Sequence, residues 1–408
     1  MAGKELFEIP QRFRFWSLGL IAVGIISLII GYIIYGRGDE HHQVRFWSAL
    51  LHNSVYFLLV VNAAMFFICA TTLAWGGWQM SFRRVTEAIS ASVPIIGILT
   101  LVILLALVFG HQHHIYHWLD NEAVAQDKIL NGKKGFLNIT FFTIWTILTI
   151  VGWILLGWKM RRLSKSIDKD PLPNPEAGRR YIFKNTVWAA LFIVWFALTV
   201  MSTAPWLWLM SIDAHWYSTM YSWYSFASTF VAGIALITLF VVYLKNKGYL
   251  DYTNEEHLHD LGKFMFAFSI FWTYLWFSQY MLIWYANIPE ETTYYQDRTK
   301  GTYSGVFWLS FLLNFLAPLL ILMKRDSKRN YTTVTFMAIV ILFGHWLDFY
   351  QMVYASTLTE HVEMGIYDFG IAAGFVGIIM FVTGKELSKY PLVARNHPFI
   401  KESIIHHT

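Results

Sequence analysis

Apolar runs of about twenty residues recur along this chain, and a helix needs a run of that length to cross the hydrocarbon core of a bilayer. Ten are read: 16–35, 48–76, 88–110, 136–158, 183–208, 220–243, 262–286, 303–323, 331–355 and 366–384. The polar stretches between them alternate in charge. The amino-terminal segment (with Lys4, Arg12 and Arg14), the even-numbered connections and the carboxy-terminal tail hold 24 of the 31 Lys and Arg residues, when Lys184 and Lys263, at the inner ends of spans 5 and 7, are counted with the connections they border; the odd-numbered connections hold 7. No other basic residue is expected inside a span. Lys and Arg accumulate on the cytoplasmic side of membrane proteins, so both termini are expected there. A miscounted span would scramble the alternation from the error onward.

The expected fold class is therefore an all-α polytopic membrane protein with ten transmembrane helices, forming one domain over 1–408. Spans 2–5 (within 47–208) and 6–9 (within 220–355) each begin outside and run inward. That permits two parallel four-helix bundles, with spans 1 and 10 peripheral and 385–408 as a cytoplasmic tail. Internal sequence similarity between the halves is faint. The segment DKDPLPNPEAGRR (168–180) is expected to be an exposed loop. Composition agrees: 56% of residues are hydrophobic and 14% charged, against roughly 25% charged in a soluble domain. The 19 Trp residues suit membrane–water interfaces. Cys69 is the one cysteine, which excludes an internal disulfide. No zinc, iron–sulfur or c-type haem spacing occurs. The first run lacks a cleavage signature and is read as a retained span.

Ionisable residues within spans are costly and point to function. In span 9, GHWLDFYQMVYAS (344–356) carries His345 and Asp348 at i,i+3, on one helix face. His345 lies about 21 Å along the span, in its outer half. The pair is suited to hold and pass a proton, or to join helices by hydrogen bonds. Asp368, at the outer start of span 10, Asp213 and His215, in an outer connection, and His52, near the outer end of span 2, are candidates for one cluster with it; each alone also reads as an interfacial polar residue. Glu87 follows Arg83 and Arg84 at the inner start of span 3, as an interfacial ion pair or an inner proton entry. Ser278 and Gln279 add uncharged polar groups to span 7. Only His52 and His345 lie within spans, so at most one bis-histidine haem pair exists. HQHHIYHW (111–118) reads as a solvated loop or, alternatively, a metal site. No Gly-rich phosphate loop, nucleophile elbow or HExxH is present.

LHDLGKFMFAFSIFWTYLWFSQYMLIWYANIPEETTYY (258–295) resembles the seventh-span region of the NrfD-like (polysulfide reductase membrane subunit) superfamily. WLMSIDAHWYSTMYSWYSFAS (208–228), GHWLDFYQMVYAS (344–356), NHPFIKESIIHH (396–407) and FRRVTEAI (82–89) agree with it. Within the superfamily the chain is most similar to the shorter of the two membrane subunits of bacterial alternative complex III. The resemblance implies a subunit of a respiratory menaquinol:cytochrome c (or oxidase) oxidoreductase in the bacterial inner membrane. It implies no redox cofactor bound by this chain, with menaquinone and lipids as candidate ligands. The implied partners are the paralogous NrfD-like quinol-oxidising subunit, an iron–sulfur subunit, subunits carrying haem c, and a terminal haem-copper oxidase; nucleic acid is not one. The family's quinol site is best attributed to the longer paralogue. A proton path, a scaffold role and an independent secondary transporter remain alternative readings of this chain.

Overall fold

The computed structural model describes residues 5–169, 172–359 and 364–407, and all regular structure among them is helical. Ten long helices carry the fold. They are α1 (Gln11–Ile34), α2 (Glu40–Leu73), α3 (Arg83–Phe109, bent at Ala91–Ser92), α4 (Ile139–Lys169), α5 (Pro175–Val200), α6 (Met220–Asn246), α7 (Glu255–Ala286), α8 (Ser304–Leu322), α9 (Tyr331–Thr357) and α10 (Ile366–Leu387). Among the described residues, nine of these segments are long and apolar enough to cross a membrane. The exception is α7, which has the length at 32 residues but spends it on Trp, Tyr, Ser and Gln. Those side chains lower its mean hydropathy while suiting an interface. The molecule is an all-helical, multi-pass membrane protein.

Side chains fix several helix starts. Asp39 accepts the His42 amide at the start of α2, Asn174 the Ala177 amide before α5, and Asn330 the Thr333 amide before α9. Asn287 ends α7 in the left-handed conformation (φ 48°), two residues before Pro289 opens a short helix to Thr299. In α8 the turn Leu312–Leu316 widens to π geometry just ahead of Pro318, whose missing N–H leaves the Asn314 carbonyl without its usual partner.

Helices α2–α5 pack on one another, as do α6–α9, and α2 lies against α6, α9 and α10. Helices α2 and α6 are accordingly buried along most of their length. Helix α1 packs almost entirely on α10 and exposes Phe15, Trp16 and Ile33. The contact is made by small residues: a Cβ on Gly24 would stand 2.4 Å from Gly374 Cα, and one on Gly377 2.7 Å from the Ile21 nitrogen. Helix α10 also packs on α2 and the start of α3, so only α1 is peripheral.

The helices outrun the apolar runs, and this corrects two expectations. Arg45, Arg83, Arg84 and Arg161, which the apolar runs place in the connections, lie inside α2, α3 and α4, buried. The expected loop 168–180 is helical at both ends, with Arg179 and Arg180 exposed on α5. Asp170 and Pro171 of that segment, and Lys4, lie outside the described residues. The carboxy-terminal segment is docked rather than free. Ser403 donates to the Trp78 carbonyl at 2.5 Å, His406 meets Asp260 at 2.7 Å, and Asn396 donates to the Ile167 carbonyl at 2.9 Å.

Candidate functional site

Helix α9 presents two polar faces, because residues three or four apart stack above one another. His345, Asp348 and Gln351 face α6 and α7; Trp346, Tyr350 and Tyr354 face α2 and α10.

On the first face Asp348 is fully buried and its carboxylate accepts four hydrogen bonds. Oδ1 receives the Tyr224 hydroxyl and, at 3.1 Å, the Gln351 amide. Oδ2 receives Ser228 Oγ at 3.1 Å and the Trp272 indole at 3.0 Å. Since the Ser228 hydrogen points at Asp348, its oxygen is free to accept from His345 Nδ1, 2.9 Å away. The result is a directed chain from His345 through Ser228 to Asp348, bypassing the direct 3.9 Å separation of the pair. His345 Nε2 is buried with no hydrogen-bond partner. Among the described residues no Lys or Arg is ion-paired to Asp348. Arg298 bonds to the Gln351 carbonyl at 3.1 Å and to Ser356 Oγ at 3.0 Å. Its guanidinium covers the Tyr294 ring at 3.5 Å, and Tyr294 stacks on Trp216 at 4.0 Å. These groups roof the site on the side away from the chain termini.

The second face holds a compensated charge. Asp368, in the first turn of α10, is fully buried within the protein. Arg45 of α2 donates to its two oxygens at 3.0 and 2.5 Å, and Tyr354 donates to Oδ1 at 2.5 Å. The Gly365 amide adds a bond at 2.9 Å. His52 packs on Trp346 and Tyr354, and its Nε2 donates to the Trp346 carbonyl at 3.0 Å. Its Nδ1 is buried without a hydrogen-bond partner. His52 and Asp368 thus join α9, but on the face turned away from His345 and Asp348.

The remaining candidates lie elsewhere. His215 meets Asp127 at 2.5 Å at the surface. This bond, aided by the Leu130 amide, holds the Asp127 carboxyl below its ordinary value. Asp213 is half-buried in the same loop. Burial holds His117 below its ordinary value, and the Asp213 carboxylate opposes that shift. The expected single outer cluster is therefore split in three, because α9 turns two faces to different neighbours, and in the Asp213–His215 loop, whose turn Met210–Asp213 packs on α9, His215 bonds to Asp127 instead. In the His-rich segment His114 pairs with Glu40 at 2.7 Å. Among the described residues no group of three or more His, Cys, Asp or Glu is placed to hold a metal ion.

Glu87 is buried between two arginines, with Arg83 Nε at 3.0 Å and Arg84 Nη1 at 2.9 Å. Arg84 also reaches Asp168 at 2.6 Å. This arrangement is an ion pair, as in the first of the two readings of Glu87, and the protein buries it.

None of the main cavities is lined by His345 or Asp348. An apolar groove of about 460 Å³ between α2, α6, α9 and α10 reaches Trp346 and Tyr56 and stops there. Sequence reasoning missed Tyr224, Ser228 and Trp272, the groups that hold the pair. Tyr224 and Ser228 stand at i,i+4 in α6, a polar stripe that was legible; Trp272 carried no signal beyond being one Trp among 19. It also missed Arg45, which lies ahead of the apolar run that begins at 48.

No family model matches the chain, and no curated protein matches it.

Proposed function

We propose that the chain is a cofactor-free membrane subunit of a quinol-oxidising respiratory complex of the alternative complex III type. In that reading it sits in the bacterial inner membrane with both termini cytoplasmic, and its His345–Ser228–Asp348 chain holds and passes a proton. Its partners would be the quinol-oxidising paralogue and the subunits carrying iron–sulfur clusters and haem c. The assignment to that complex rests on the sequence resemblance alone.

One observation carries the proton role: Asp348 is buried within the helices with four neutral donors, and among the described residues no Lys or Arg is paired with it. An isolated charge there is expensive. The site is neutral when exactly one proton resides on the Asp348–His345 pair, on either residue, and Ser228 links the two positions. Asp368 differs because Arg45 already balances it, which suits a fixed clamp. The scaffold reading draws on the Arg45–Asp368 pair and the Arg83–Glu87–Arg84–Asp168 group, which are charge-balanced joints between helices.

The test is Asp348→Asn in the assembled complex, which keeps shape and removes the ionisable group. Reduced quinol oxidation or reduced coupled proton movement is expected. Normal turnover together with normal proton movement leaves the pair only a structural part.

A further inference from the structure

On the face that carries both chain ends, α3, α4 and α10 converge around a second cavity, of about 560 Å³. Its walls include Arg161, Arg162 and Lys165 of α4, with Glu386 and Tyr390 from the end of α10. Unlike the apolar groove, this one is lined by charge.

Arg161 is the unusual member. It is 8% exposed, and its hydrogen bonds run from Nη1 to the Ser90 carbonyl and hydroxyl, at 3.1 and 3.2 Å. Among the described residues no carboxylate lies within ion-pair distance of it. A buried guanidinium without a counter-ion is costly, and an anion entering the cavity would lower that cost. Glu386 and Glu87 act on Arg161 only from beyond ion-pair distance: Glu386 is engaged directly by Lys165 at 3.0 Å and by Lys389, and Glu87 by Arg83 and Arg84. Three cations and one carboxylate leave the cavity net positive.

Its position selects the kind of anion. The basic residues of α4 begin right after the apolar run that ends at 158, so they sit at the depth of lipid headgroups. Trp158, 48% exposed, marks that boundary and lies under the Arg162 guanidinium at 5.1 Å. Toward the membrane interior, Leu155 of α4 and Ile95 and Ile98 of α3 are exposed and offer apolar surface to acyl chains. A soluble anion would use the charges and leave this surface unused.

We propose that the cavity binds the phosphate-bearing headgroup of an anionic phospholipid from the leaflet on the terminal face. Arg161 neutralises the phosphate from inside, Arg162 and Lys165 close on it from the mouth, and the acyl chains lie along Leu155, Ile95 and Ile98. The inference is independent of the quinol reading.

The full chain, purified in detergent, is titrated with phosphatidylglycerol or phosphatidylcholine and read by native mass spectrometry. Phosphatidylglycerol is expected to be retained in preference to phosphatidylcholine. Arg162→Gln with Lys165→Gln is expected to weaken its retention roughly thirtyfold, since each surface cation contributes about a factor of five. Replacing two exposed bases elsewhere on the same face, Arg179→Gln with Lys247→Gln, is expected to leave it unchanged. Should the first variant misfold, Ser166→Asp, which sets a carboxylate at the mouth, is expected to lower retention in its place. Equal retention of the two lipids overturns the proposal, as does full retention by the cavity variants. Soluble glycerol 3-phosphate displacing phosphatidylglycerol at equal concentration would assign the cavity to a free phosphate and overturn it as well.

Discussion

Arg45 and Asp368, 323 positions apart in the chain, meet in a two-point ion pair inside the protein, with both side chains buried. The pair ties α2 to the first turn of α10. Removing one partner of a buried pair leaves an uncompensated charge and costs about 3–5 kcal/mol. Asp368→Asn or Arg45→Met alone is therefore expected to lower the thermal unfolding midpoint sharply. The double replacement Arg45→Met with Asp368→Leu is expected to recover most of the loss, measured as a double-mutant cycle in detergent.

Ser228 bridges the two members of the α9 pair, so Ser228→Ala strands a donor on His345, while Asp348 Oδ2 keeps the Trp272 indole. Each buried group left unpaired costs about 1–3 kcal/mol. Unfolding measurements should show a loss in that range. In the assembled complex the same variant should slow coupled proton movement while retaining the ionisable pair. Unaltered proton movement would exclude Ser228 as the link.

Gly344 lies against the side chain of Asn314 in the π turn of α8. A Cβ there would stand 2.2 Å from Asn314 Oδ1 and 2.9 Å from Leu313 Cβ. Gly344→Ala is expected to destabilise the protein by about 1–3 kcal/mol, the usual cost of overpacking. Adding Asn314→Ala should relieve most of the cost, which a second melting curve reads directly.

His397 gives the docked tail a pH dependence. It is 5% exposed, packs edge-on to Tyr181, and accepts the Phe399 amide on Nδ1 at 3.2 Å, which requires the neutral ring. Burial pushes it from an ordinary 6.5 down to about 3; Arg83 and Arg84 push the same way, and Glu87 opposes them. The unfolded or undocked state thus binds the proton first. Its contribution to docking is complete above about pH 6.5 and is lost progressively as the pH falls from there towards about 3. Limited proteolysis of the tail should accelerate over that window, and His397→Gln should flatten the response.

The helices were legible because hydropathy and charge alternation are properties of single segments. Even so, α7 scores low on mean hydropathy through its own aromatic and amide residues, and α2 begins eight residues before its apolar run, drawing Arg45 inside. The partners were not legible. Asp348 and His345 announce themselves as charges in a span, but Tyr224, Ser228 and Trp272 come from two other helices. The split of α9 into two polar faces follows from helical spacing; which helix meets each face is set by packing over the whole bundle. Glu87 was legible as an ion pair because both its partners lie within one turn.

The glycine clasp between α1 and α10 bears on how the chain is made. Helix α1 enters the membrane early and has almost no partner other than α10, which emerges some 340 residues later. Until then its small-residue stripe faces lipid. Closure of the clasp therefore reports that synthesis has reached α10. A polypeptide cut short before α10 would leave α1 without its main partner, as well as Arg45 buried without the Asp368 carboxylate.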